Sequence, residues 1–119
     1  MINKTIVNRC EKRLLELKLE YEGKLHRAKS EEMSEARGDA ADLCAIYNEQ
    51  RTQGLFQNRI RQQLRRIETA LVRIRVGEYG ICEETGEPIE KERLYAVPWT
   101  TLSLEGASIR ERMEMRKIS

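Results

Sequence analysis

The chain has 119 residues, of which 35% are charged and 39% apolar, and its net charge is +2. That mixture is too polar for a compact sphere of this length and fits a paired-helix rod with a small cap. Near-neutral overall charge gives no basis for nucleic-acid binding, and no apolar run approaches the roughly 20 residues of a membrane span.

The N-terminal stretch lacks the apolar core of a signal peptide. Three scattered cysteines, Cys10, Cys44 and Cys82, do not form a disulfide framework, so a reducing cytoplasm is the expected compartment. Residues 4–36 contain no proline and one glycine, Gly23. Within them Cys10, Leu14, Leu17, Tyr21 and Ala28 recur at the spacing of one apolar helix face, interrupted at Lys24. Arg37-Gly38-Asp39 then reads as a turn, with Gly38 free to adopt positive φ and Asp39 placed to cap the next helix. A second helix is expected over 40–76. Its far half, Ile60, Leu64, Ile67, Leu71 and Ile74, follows a heptad seam. Nearer the turn the seam is weakened by Gln50, Gln53, Gln57 and Gly54. Two such helices joined by a short turn must pack antiparallel, each roughly 50 Å long at about 1.5 Å per residue. Residues 1–77 thus form a coiled-coil hairpin with its tip near 37–42, stopped by Gly77 and Gly80.

Residues 78–106 hold both prolines and the only tryptophan, Trp99. They read as a small irregular domain with one or two hairpins and few helix signals. Its candidate core is Tyr79, Ile81, Ile89, Leu94, Tyr95, Trp99, Leu102 and Leu104, with Trp99 as anchor. A short last helix is expected over 107–119, capped by Ser103 or Ser108.

Charge is segregated along the hairpin. Glu31, Glu32, Glu35, Asp39 and Asp42 oppose only Arg37 near the tip, whereas Arg59, Arg61, Arg65, Arg66, Arg73 and Arg75 oppose only Glu68 near the base. Two readings fit this pattern. One is a solvated helix surface; the other is an effector whose acidic tip enters a positively lined or metal-containing site while its basic flank meets an acidic rim or a phosphate.

The run Gly77-Glu78-Tyr79-Gly80-Ile81-Cys82 and the later Arg93-Leu94-Tyr95-Ala96-Val97-Pro98 resemble the DksA/TraR family, whose signature pairs G-x-Y/F-G-x-C with R-L-x-A-x-P around a four-cysteine finger. Asp39-Ala40-Ala41-Asp42 is similar to that family's D-x-x-D tip motif, at the expected distance before Cys82. The resemblance implies a mainly α protein: a long hairpin, a small finger-like domain and a short C-terminal helix. It implies a monomer that binds RNA polymerase through the secondary channel rather than DNA. Its tip residues Asp39 and Asp42 would modulate initiation in a stringent or stress response, often with ppGpp. A transcript-cleavage factor of the Gre type and a structural coiled-coil adaptor are the alternatives.

The departures from the family pattern matter as much. The zinc ligand positions correspond to Cys82, Thr85, Ser103 and Gly106, so one thiolate remains of four and no bound zinc is expected. Arg59, Arg66 and Arg93 fall at family positions for polymerase or ppGpp contact. Val97 and Ala107 replace two alarmone-associated bases, and Gln63 replaces a polymerase-contact leucine, so reduced ppGpp synergy is expected. No cofactor and no catalysis by the chain itself are expected. His26 is expected on the surface of the first helix.

Overall fold

The computed structural model describes residues 3–36 and 43–118, the side chains of 32–53 and 118 excepted. Within them the chain forms four helices, α1 (Lys4–Ala36), α2 (Leu43–Val76), α3 (Lys91–Ala96) and α4 (Leu104–Ile118). The protein is mainly helical, and its principal extents are 59 × 41 × 21 Å. Arg37, Gly38, Asp39 and Asp42, on which the expected turn and tip rest, lie outside the described residues.

The α1 seam forms as its spacing dictates. Cys10, Leu14, Leu17 and Ala28 are buried, and Tyr21 is half-buried against the same core. Asn3 starts the helix, its side-chain Oδ1 accepting from the Thr5 N–H at 2.9 Å. On α2, Ile60, Ile67 and Ala70 are buried, while Leu71 and Ile74 pack at the margin. Gln57 and Gln63 are buried as well, so the middle of the seam is polar. The Gln63 Nε2 has no partner within the described structure.

A Schellman turn ends α2. Gly77 takes φ 77°, the Glu78 N–H donates to Arg73 O at 2.9 Å, and the Gly77 N–H donates to Ile74 O at 3.3 Å. The chain then folds back on itself through one antiparallel bridge between Ile81 and Pro88. Its rungs are Cys82 N–H to Glu87 O at 2.8 Å and Ile89 N–H to Gly80 O at 2.7 Å.

Four expectations need correction. The region 78–106 contains a helix, α3, because Lys91-Glu92-Arg93-Leu94-Tyr95-Ala96 is a run of helix formers bounded on both sides by proline. The last helix begins at Leu104 rather than 107, because two side chains satisfy its first turn. Ser103 Oγ accepts from the Gly106 N–H at 3.0 Å, and Glu90 Oε2 accepts from the Leu104 N–H at 3.2 Å. Leu104, expected in the core, is 62% exposed, since that early start turns it outward.

Trp99 is not the anchor of the small domain. Leu94 and Pro98 are fully buried, Tyr79 and Ile89 nearly so, and Trp99, Tyr95 and Leu102 pack around them. This cluster is continuous with Cys10, Leu14 and Leu17 of α1 and with Ile67 and Ala70 of α2. Tyr79 Oη donates to Pro98 O at 2.8 Å, and Cys10 Sγ donates to Leu94 O at 3.7 Å, so polar contacts lie inside it too. Burial, with Cys10 beside it, pushes the Tyr79 phenol well up, which keeps it a donor. The base of the hairpin and the finger therefore share one core.

Candidate functional site: a one-thiol finger and an arginine face

The four positions that correspond to the family's zinc ligands, Cys82, Thr85, Ser103 and Gly106, converge at the start of α4. Cys82 is 2% exposed and Ser103 is 4% exposed. The Ser103 and Thr85 oxygens accept backbone N–H groups from Gly106 at 3.0 Å and Glu87 at 3.2 Å. Both hydroxyls lie beside the Cys82 sulfur and keep a proton free to donate. Burial pushes the Cys82 thiol up, but the Ser103 and Thr85 hydroxyls and backbone amides hold the thiolate and bring it down to about 6. At the fourth position, a Cβ on Gly106 would collide with Cys82 Sγ.

Ionic contacts fasten this knuckle on two sides. Arg73 of α2 donates to Glu83 Oε1 at 2.9 Å, to Ile81 O at 2.7 Å and to Glu78 O at 3.1 Å. Arg110 of α4 spans Glu83 and Glu84 at 3.2 and 3.1 Å. Glu83 thus joins α2 to α4 through the finger. These roles were not visible in the sequence, where Arg73 was one of six similar arginines.

The basic flank is a real surface. Arg59 and Arg66 are exposed on α2, while Arg93 is half-buried on α3 with its Nε donating to Leu102 O at 2.7 Å. Arg65, Arg66 and Arg93 line a groove of about 660 Å³ between α2 and the segment 97–102, with Val97 and Trp99 in its wall. Arg59 lies about two helical turns from Arg66 toward the tip and does not line the groove. Gln63 is buried beneath Arg66, which donates to its Oε1 at 3.4 Å. His26 is exposed. Asp39 and Asp42 lie outside the described residues, as noted above.

Residues 77–112 match the model for the prokaryotic dksA/traR C4-type zinc finger. The chain is 38% identical over 81 residues to the RNA polymerase-binding transcription factor DksA of Caulobacter vibrioides, a match covering 68% of this chain and 57% of that protein. It is also 38% identical to an uncharacterized protein of Aquifex aeolicus, covering 93% of this chain and 80% of the relative. The structure of transcription factor DksA2 from Pseudomonas aeruginosa superposes with a TM-score of 0.86 at 30% identity, covering 98% of this chain and 89% of that one.

Such a finger implies zinc, and the donors here do not fit it. A closed structural site takes four N, S or O ligands of adequate basicity. This one offers a single thiolate and two hydroxyls already engaged with backbone, and its fourth corner is pressed against the sulfur. Among the described residues no cluster of three or more His, Cys, Asp or Glu is placed to hold a metal. The finger keeps the fold of its relatives, with the buried free cysteine Cys82 at its centre flanked by Ser103 and Thr85. On the shared fold and the identity across nearly the full chain, the protein belongs to the DksA/TraR family.

Proposed function

We propose that this protein is a bacterial transcription regulator that binds RNA polymerase through its secondary channel and works without zinc. The observation that supports it is the full-length correspondence with the DksA2 structure, hairpin and finger together, with the arginine face of α2 intact beside the finger. Two paired helices of 33 and 34 residues give the slender reach that an element entering a narrow channel needs. Its tip, with Asp39 and Asp42, would act near the catalytic Mg²⁺ by charge and bulk, shifting the balance between promoter complexes without performing chemistry itself. On this reading the protein is a cytoplasmic monomer that makes no direct contact with DNA.

Zinc independence rests on what stands in for the metal: the core shared with the hairpin, the hydroxyl-held thiolate of Cys82 and the Arg73–Glu83–Arg110 connection. The groove beside α2 keeps Arg66 and Arg93 but presents Val97, so ppGpp synergy is reduced. Competition against a known secondary-channel binder on core polymerase, with and without chelator and ppGpp, tests the reading. Displacement that survives chelation is expected. Zinc at one per chain together with chelator-sensitive activity would overturn the zinc-independent part. Asp42→Asn is expected to bind polymerase and lose regulation of a sensitive promoter; full regulation by that variant would overturn the role of the tip.

A further inference from the structure

The two helices of the hairpin carry different kinds of charge. The described part of α1 mixes Lys4, Lys12, Lys18, Lys24, Lys29 and the arginines Arg9, Arg13 and Arg27 with Glu11, Glu16, Glu20, Glu22 and Glu31, the pattern of a solvated face. From Gly54 to Val76, α2 carries arginine only, with no lysine and one acid, Glu68. Protein interfaces are enriched in arginine and aromatic residues and depleted in lysine and glutamate. Among the described residues, Arg59, Arg65 and Arg66 have no carboxylate partner.

On the tip-ward part of α2 stand two large exposed apolar side chains: Leu55, 58% exposed and in line with the arginines, and Phe56, 51% exposed and about 100° further round the helix toward the margin of the seam. Gln57 and Ile60 of α2 and Ala28 of α1 are buried, while about half or more of each of the two apolar side chains still faces solvent. Leu55, Arg59, Gln62 and Arg66 are all exposed and follow one side of the helix, a stripe of about 16 Å at about 1.5 Å per residue. The stripe runs from Leu55, with Phe56 at its edge, into the groove of Arg65, Arg66 and Arg93.

We infer that Leu55 and Phe56 are the apolar anchor of a docking face on α2, and that its occupant is an acidic protein surface carrying an apolar recess. This rests on the polymerase reading above and adds to it: the arginines steer and orient, and the apolar pair supplies the desolvated centre that fixes the complex. A nucleic acid or a phosphate ligand would use the arginines and leave Leu55 and Phe56 idle. Exposed leucines also occur on α1, Leu15 at 48% and Leu19 at 71%, but they sit among lysines and glutamates. They serve as the control.

The test measures affinity of the full chain for core RNA polymerase as wild type, as Leu55→Ala with Phe56→Ala, and as Leu15→Ala with Leu19→Ala. Both pairs are exposed, and circular dichroism melts verify that each variant folds. The α2 pair is expected to weaken binding by about tenfold or more, and the α1 pair by less than about twofold. Equal loss from both pairs, or an α2 effect under about twofold, overturns the anchor and leaves polymerase binding standing. No binding by wild type removes both readings. Self-association of wild type that the α2 pair abolishes, seen by sedimentation, also overturns it, by making a second copy the occupant.

Discussion

Replacing Arg73 by alanine tests what holds a metal-free finger onto its hairpin. The guanidinium is 14% exposed and reaches three acceptors, two of them backbone carbonyls in the turn that leaves α2. Hydrogen bonds from a charged donor contribute roughly 1.5–3 kcal/mol each, and losing the donor leaves its acceptors to whatever water can reach them. Ile81 O is part-buried and Glu78 O is exposed, so the first is lost nearly in full and the second is largely recovered from solvent. The pair with Glu83, itself 38% exposed, adds at most about 1 kcal/mol. The sum for Arg73→Ala is about 2–4 kcal/mol, a large share of the roughly 5–15 kcal/mol that holds a typical domain folded. Urea unfolding followed by Trp99 fluorescence and by far-ultraviolet circular dichroism measures it. Glu83→Gln should cost less than about 1 kcal/mol, because it leaves both carbonyl contacts in place. A cost below about 0.5 kcal/mol for Arg73→Ala would show that the turn holds itself and refute the reasoning.

Leu94→Ala should destabilise by about 3 kcal/mol, as a fully buried leucine lost from a shared core. Its fluorescence and dichroism transitions should move together, and separate transitions would show two independent cores. Ser103→Ala should cost about 1 kcal/mol through the lost cap of α4 and raise the Cys82 pKa above its value of about 6, read by thiolate absorbance. The Cys82 thiol is lowered from its ordinary 9.0 to about 6, so its contribution is present above 9.0 and is lost as pH falls through about 6. The stability difference between wild type and Cys82→Ala should therefore grow between about pH 6 and pH 9, and a difference that is flat or shrinks there rules out the held thiolate.

The hairpin was legible because its signal is periodic. Leu14, Leu17, Ile60 and Ile67 repeat at helical spacing, and a face defined by spacing needs no knowledge of distant partners. Gly77 marked the end of α2 because a Schellman turn demands a residue tolerant of positive φ. The finger was legible as a small irregular domain from its prolines and Trp99, and as a finger only through resemblance, while its details were not legible. α3 is too short for a periodic signal, and Leu104 reads as core until Glu90 and Ser103 are seen to start α4 beneath it. Arg73 was invisible among its neighbours because its role depends on carbonyls that converge only once the turn has formed. Nothing in the sequence sets Leu55 and Phe56 apart; only their exposure in the fold does.

The core that crosses the hairpin base has a consequence for cutting and joining these proteins. The recognisable finger begins at Gly77, yet its packing partners Cys10, Leu14, Leu17, Ile67 and Ala70 all lie upstream. A fragment starting at Gly77 would leave half of its interior behind. Chimaeras that exchange fingers between relatives should keep their junctions tip-ward of Leu17 on one strand and of Ile67 on the other, so that the lower turns of both helices travel with the cap. The unit of inheritance, in the sense of what can be moved and still fold, is then the finger together with its pedestal, and the replaceable module is the rod above it.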